Sequence, residues 1–267
     1  MKKEHIEQYS RLDLVHHEPA MRLLSSLNLK GDETILDICC GDGKLTAAIS
    51  LLVPNGSVVG IDISEEIINF ATSKFPRSVY SNLDFEIGDA KKMDFYERFD
   101  LVVSFGSLHA ITEHETILKR IYTSLKQHGR LAIQFAGKAK PNDFQSLIIT
   151  LLKSEKWKSQ LTEEVTYSFY EIEEYREILN LCKLHNAKID ISIGESKYQR
   201  KEDFYSYSYD AWLSLSSRIP EDLYASFIDD LVELYIQYNP PDDNNILHVK
   251  FICLEVTATK NELFLGK

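Results

Sequence analysis

Basic residues are in short supply in this chain. Its 267 residues carry 30 Lys and Arg against 41 Asp and Glu, a formal net charge of −11. A chain of this sign repels a phosphate backbone, so no nucleic-acid partner is expected. Long apolar runs are also missing. None approaches the ~20 residues that span a bilayer, so no membrane partner is expected. The start, Met1-Lys2-Lys3-Glu4-His5, turns polar and acidic at once, without the apolar stretch of a secretory leader. There are only four cysteines, at 39, 40, 182 and 253. None forms a C-x-x-C pair, a spacing that suits neither a zinc site nor a disulfide framework. Four reduced thiols in a cytoplasmic protein are expected, with no metal. Repeats and low-complexity tracts are absent. What remains is an ordinary globular composition, 44% hydrophobic and 27% charged, which excludes extended disorder. The length suits one α/β domain with insertions.

The first two-thirds alternate short apolar runs with helical patterns, the signature of βαβ units around a mostly parallel sheet. Strands are expected at 34–38, 58–63, 83–87, 99–105 and 130–135. A helix from about Gly43 should bury Leu45, Ala48, Ile49 and Leu52. Ser64 opens another, with apolar face Ile67, Ala71 and Phe75. Thr112 and Glu115 have the spacing of a capping box. That helix should bury Ile117, Ile121 and Leu125 and end near Gly129. In the last third, 170–184 reads as a helix and 187–193 as a strand. An aromatic segment (D-F-Y-S-Y-S-Y-D-A-W, 203–212) follows, and Pro220 opens a long helix. Asn239-Pro240-Pro241 breaks it, and 246–258 is the final strand. The expectation is seven strands, with a helical insertion between the sixth and seventh.

The sharpest signal is I-L-D-I-C-C-G-D-G-K-L-T (35–46), a strand running into a glycine turn and then a helix. Gly41 and Gly43 let the backbone turn tightly and approach a ligand, and the helix start offers free N–H groups. Alone, such a turn is weak evidence. Three acids accompany it: Asp37 near the end of the first strand, Asp62 at the end of the second, and Asp89 after the third. In an open parallel sheet ligands bind beyond the carboxyl ends of the strands, at the topological switch point, so these acids should rim one crevice. Asp62 suits a ribose diol, which both NAD and S-adenosylmethionine carry. Charge separates the two. Asp37 and Asp42 flank the loop where a pyrophosphate would lie, and a carboxylate held near a phosphate costs a few kcal/mol at an effective dielectric of ~20. S-adenosylmethionine brings a sulfonium and an ammonium instead. Any one of the three acids is as well explained as a cap or turn residue; all three at strand ends are not.

The motif order L-D-I-C-C-G-D-G, V-V-G-I-D-I-S, F-E-I-G-D-A, F-D-L-V-V-S-F and L-K-Q-H-G-R-L resembles the seven-stranded class of S-adenosylmethionine-dependent methyltransferases over roughly residues 30–136. The segment S-F-G-S-L-H-A (104–110) and the tail resemble its small-acid branch, which includes trans-aconitate and juvenile-hormone acid methyltransferases. The resemblance implies a Rossmann-like, seven-stranded, mostly parallel sheet with helices on both faces, an antiparallel last strand and a helical lid insertion. It implies a single methyltransferase domain over 1–267, with a cofactor-binding core at 30–136 and lid segments at 1–28 and about 199–245. It also implies roles. Asp37, Cys39, Gly41 and Gly43 would line the methionine end of the cofactor, and Asp62 would hold the ribose, with Ile63 beside the adenine. Asp89 would accept from the adenine amino group, with Ala90 nearby, and Ser104 would border the amino-acid end. Cys39 stands where the class usually has its first glycine, and His128 where it commonly has proline or glycine.

On the substrate side, His109 should face the pocket mouth. It would hydrogen-bond a carboxylate acceptor or act as a base for another acceptor; a structural histidine satisfied by backbone is an equal reading. His16 and His17, at the start of an N-terminal helix, are more simply a solvated helix start than ligand contacts. The 203–212 aromatics are read as packing. Lys138, Lys140, Lys197, Arg200 and Lys201 would attract an acidic substrate or simply be solvated. The expected activity is methyl transfer to a small molecule, at a carboxylate oxygen. The alternatives are a small-amine N-methyltransferase, a catalytically silent cofactor-binding protein and, more distantly, a nicotinamide-dependent oxidoreductase.

Overall fold

In the computed structural model the described residues are 14–162, 166–211 and 218–261. Seven strands form one sheet: β1 (Thr34–Ile38), β2 (Ser57–Asp62), β3 (Leu83–Ile87), β4 (Phe99–Phe105), β5 (Leu125–Ala136), β6 (Leu184–Tyr198) and β7 (Leu247–Lys260). Their order is β3-β2-β1-β4-β5-β7-β6. The first five pair in parallel. The last strand, β7, inserts between β5 and β6 and runs antiparallel to both. From β1 the chain moves outward to β2 and β3, then returns to the other side of β1 as β4. The carboxyl ends of β1 and β4 are therefore the switch point where a ligand crevice opens.

Alternate strand residues feed different faces. Leu36, Ile38, Val59 and Ile61 join one buried cluster. Helix α4 (His114–Ser124) and helix α7 (Ile172–Leu181) supply its other wall through Ile117, Ile121, Tyr175 and Leu179. Ile35, Val58, Leu101 and Val103 face the other way. There they meet α1 (Leu14–Ser25) and α2 (Lys44–Leu52) through Leu24, Ala47 and Ile49. Helix α3 (Glu65–Lys74) is capped by the Ser64 hydroxyl, which accepts from the Ile67 N–H. A third cluster joins α5 (Phe144–Leu152), α6 (Glu155–Lys158), α8 (Lys201–Ala211) and α9 (Glu221–Tyr238) to Leu247 and Val249 of β7. The helical insertion expected between the sixth and seventh strands is α8 and α9, whereas α5 and α6, which pack with it, lie between β5 and β6 and were not expected; Phe204 of the aromatic segment is fully buried in this cluster. Trp212 of that segment lies outside the described residues, as do the side chains of His16 and His17 and residues 1–13 of the first lid segment.

Several local expectations are corrected. The capping box at Thr112 and Glu115 does not form. The Thr112 hydroxyl donates to Glu113 instead, and α4 starts at His114. Leu125 belongs to β5, opposite Phe99, because the sheet takes up the chain directly at the end of α4. Gly129 then lies inside β5, where a Cβ would come within 2.8 Å of the Lys126 carbonyl oxygen. The buried face of α2 is Thr46, Ala47, Ile49 and Ser50, while Leu52 is exposed. That of α3 is Ile68, Phe70 and Ala71. β6 is longer than 187–193. Among the described residues no helix is long and apolar enough to cross a membrane.

Candidate active site

The turn between β1 and α2 is built on three left-handed residues: Cys39 (φ 58°), Gly41 (φ 55°) and Gly43 (φ 79°). Left-handed backbone costs a residue with a Cβ roughly 1–2 kcal/mol, and Cys39 is held there all the same. Around it, the Cys40 N–H donates to the Ile61 carbonyl (3.0 Å), and the Ser107 hydroxyl donates to the Cys39 carbonyl (3.4 Å). Gly43 has no substitute, since a Cβ would lie 2.6 Å from Phe85 and 2.8 Å from Ala71.

Three carboxylates converge on this turn. Asp37 is buried and accepts the Thr46 hydroxyl at 2.7 Å. Burial pushes its pKa up to about 7; the Thr46 bond opposes the shift and the nearby Asp62 adds to it. The Asp62 carboxyl is also held above its ordinary value by burial, against N–H donors from Ser64, Gly41 and Ile63. Its two oxygens accept from Gly41 (3.2 Å) and Ser64 (3.0 Å). The Cys39 thiol is pushed far above its usual pKa, first by burial and then by Asp62, Asp37 and Asp89. It stays protonated at neutral pH and is no nucleophile. A further buried acid, Asp42, is only 6% exposed. Its Oδ1 accepts the Lys44 N–H (3.1 Å), whereas its buried Oδ2 has no hydrogen-bond partner. Partly desolvated carboxylates and an orphaned acid oxygen make a cradle for a cation, and a poor one for a pyrophosphate.

The remaining expected residues are placed as follows. Asp89 follows β3, with its Oδ1 accepting the Lys91 N–H (2.9 Å). Ile63, just beyond β2, is 69% exposed, an open apolar face beside Asp62. Ser104 is fully buried and donates to the Ile38 carbonyl at 2.7 Å, tying β4 to the end of β1. Ala90 packs in the main core cluster. His109 sits on a short 3-10 turn, Leu108–Ala110, beyond β4. The Ala136 N–H at the end of β5 donates to its Nδ1 over a long 3.5 Å, and its carbonyl accepts the Ser168 N–H at 2.9 Å. With Nδ1 accepting, the proton of the neutral ring lies on Nε2. Tyr167 and Phe169 stack with the ring at centroid distances of 6.0 and 6.2 Å.

The basic residues read as solvated. Lys138 pairs with Glu171, Lys197 with Glu195, Arg200 with Asp203 and Lys201 with Glu233. A polar cleft of about 610 Å³ opens at the opposite, amino ends of the strands. Four of its charged side chains pair off as Lys126–Asp100 (2.8 Å) and Arg130–Glu33 (3.8 Å). Sequence reasoning missed the Tyr167 and Phe169 rings, which come from a segment without periodicity. It also missed the buried His114. The signal for His114 was present, because 114, 117, 118 and 121 follow the spacing of one buried helix face.

The juvenile hormone acid O-methyltransferase of Bombyx mori is 28% identical over 255 residues, covering 88% of this chain and 87% of that protein. The trans-aconitate 2-methyltransferase of Escherichia coli is 23% identical over 250 residues, covering 91% and 93%. The first curated relatives it matches are spanned for only about half their length, 55% and 47%. The same fold occurs in the phosphoethanolamine N-methyltransferase 2 of Haemonchus contortus in complex with S-adenosyl-L-methionine. That likeness has a TM-score of 0.62 at 18% identity, covering 96% of this chain and 57% of that one. The family model described as a methyltransferase domain matches residues 29–190, more than half of the chain, from the strand that carries Asp37 to the β6 edge. With that match and this sheet order, the chain belongs to the methyltransferase domain family.

Proposed function

We propose that the protein is an S-adenosylmethionine-dependent methyltransferase of small molecules, with a carboxylate oxygen as the methyl acceptor. The observation that carries the cofactor reading is the convergence of Asp37, Asp62 and Asp89 on the left-handed turn at the switch point. When bound, the cofactor supplies a methyl group on a positively charged sulfur, which a nucleophilic oxygen takes by in-line displacement while the sulfur leaves as a neutral thioether. Asp37 and Asp42 supply negative charge at the turn beside Gly41, Gly43 and Cys39, where the cofactor's charged end would lie. Asp62 would accept from the ribose hydroxyls, Ile63 would lie beside the adenine, and Asp89, with Ala90 next to it, would accept from the adenine amino group. Ser104 acts indirectly, by holding the ends of β1 and β4 together.

An ionised carboxylate needs no general base, so the protein's task is to hold it at near-attack distance. His109 suits this task. Its ring proton on Nε2 makes it a donor toward an acceptor oxygen, and Tyr167 and Phe169 stack with the ring. The juvenile hormone acid and trans-aconitate relatives support a carboxylate acceptor. We assign the whole chain to one domain, with 30–136 as the cofactor-binding core and 1–28 and about 199–245 on the substrate side. The four free thiols support a reducing, cytoplasmic setting.

The test begins with calorimetric titration against S-adenosylmethionine and S-adenosylhomocysteine, with NADH as control. Micromolar binding of the adenosyl ligands alone, roughly −8 kcal/mol, is expected. Transfer of labelled methyl to a panel of small carboxylic acids should then give base-labile esters. His109→Ala should lower turnover at least tenfold with cofactor affinity unchanged. Absence of adenosyl-ligand binding overturns the cofactor reading, and transfer only to amines overturns the acceptor reading.

A further inference from the structure

The turn that carries His109 has a buried support that the proposed mechanism leaves unused. His114, the first residue of α4, is 2% exposed. Its Nε2 lies 2.9 Å from the Leu108 carbonyl oxygen, and its Nδ1 lies 3.2 Å from the Tyr175 hydroxyl. The carbonyl can only accept, so Nε2 carries the proton and Nδ1 accepts from Tyr175. Both ring nitrogens are thereby used in one arrangement, with a neutral imidazole. Burial supports that state by holding the His114 pKa below its ordinary value. Aromatic rings of Phe135, Tyr170 and Tyr175 surround it, with centroids 5.2, 4.8 and 5.5 Å away.

The position of this hub matters. Leu108 immediately precedes His109, and its carbonyl also accepts the Ile111 N–H. Tyr170 lies one residue beyond Phe169 and two beyond Ser168, whose N–H holds the His109 carbonyl. The Tyr170 carbonyl in turn accepts the Lys138 N–H, just past β5. One buried imidazole thus joins α4, α7, the 3-10 turn and the segment that bears Tyr167 and Phe169.

We propose that His114, with Tyr175 as its partner, is the positioning residue that fixes the His109 turn and hence the acceptor side of the site. The proposal rests on the reading of His109 as an acceptor-holding residue. It requires His114 to act on acceptor use while leaving the carboxylate cradle at β1–β3 alone.

The test uses the full-length protein. His114→Leu should lower kcat/KM for the acceptor at least tenfold, with the cofactor Kd within twofold of the parent. His114→Gln, which keeps a donor near the Leu108 carbonyl, should recover most of the loss. Tyr175→Phe removes a single hydroxyl and should give an intermediate loss should His114→Leu fail to fold. The double variant with His109→Ala should lose no more than His109→Ala alone. Independently of activity, amide hydrogen exchange should quicken at 107–111 and at Ser168 in His114→Leu, and stay unchanged at 39–43. Unchanged exchange at the turn, or a double variant whose losses multiply, overturns the proposal. Should His109→Ala itself keep full turnover, the role given to His109 falls, and the exchange result alone decides whether His114 holds the turn.

Discussion

At Asp37 the demands of folding and of binding point in opposite directions. Its carboxyl, ordinarily near 3.8, is pushed to about 7 by burial. Between these values the folded chain holds a proton that the unfolded chain has released, so stability falls as pH rises through that window. The full cost, of order a few kcal/mol, is present above pH 7. Asp37→Asn keeps an acceptor for Thr46 and removes that cost. Its urea midpoint should exceed the parent's at pH 8, with the gap narrowing as pH falls toward 4. Its affinity for S-adenosylmethionine should fall at least tenfold, whereas the parent's affinity should rise as pH passes through about 7. A residue that destabilises the empty fold and is needed for the ligand is the pattern expected of a site. Asp37, Cys39, Gly41, Gly43 and Asp62 were legible because a buried strand, a tight turn and a strand end are local features. The hold on His109 was not, since Ala136 and Ser168 reach it only through the fold.

The expected strands and helices formed, and tertiary contacts moved their boundaries and, on α2 and α3, the face they bury. Thr46 is fully buried on α2, with Leu45 only partly so, because the buried Asp37 takes the Thr46 hydroxyl there. α4 passes straight into β5 because the Glu97 and Arg98 N–H groups bond the Thr123 and Ser124 carbonyls. A second case is the link between α9 and β7. His248 Nδ1 lies 3.2 Å from Glu195 of β6, and Nε2 lies 3.1 Å from Asp242 of the connection. Hydrogen bonds to Asp242 and then Glu195 raise its pKa, and the same contacts help lower those of both acids. Lys197 also reaches Glu195. A histidine with a raised pKa contributes stability that is full below its unfolded value near 6.5 and lost as pH rises through its folded value. His248→Gln should therefore unfold at lower urea than the parent at pH 5.5, and the two midpoints should converge as pH rises past the folded pKa.

At the scale of the whole molecule, three apolar clusters share one sheet. The helical cluster reaches β7 through Leu247 and Val249, and the same strand enters the main core through Leu254 and Val256. Phe227 is fully buried there, edge-on to Trp157 at 5.1 Å. Phe227→Ala should cost about 3–5 kcal/mol. Because β7 is common to both clusters, near- and far-ultraviolet circular dichroism should still report one unfolding transition, at a lower midpoint. By itself, the amino-acid sequence determined the succession of strands, the helices between the first five of them and the acid-rimmed glycine turn, because these rest on contacts between near neighbours and on side-chain periodicity. Only the tertiary structure decided that β7 slots between β5 and β6, that Asp37, Asp62 and Asp89 press on one cysteine, and that His114 lies beneath the His109 turn. Those outcomes depend on burial and on hydrogen bonds between residues far apart in the chain, which no local pattern encodes.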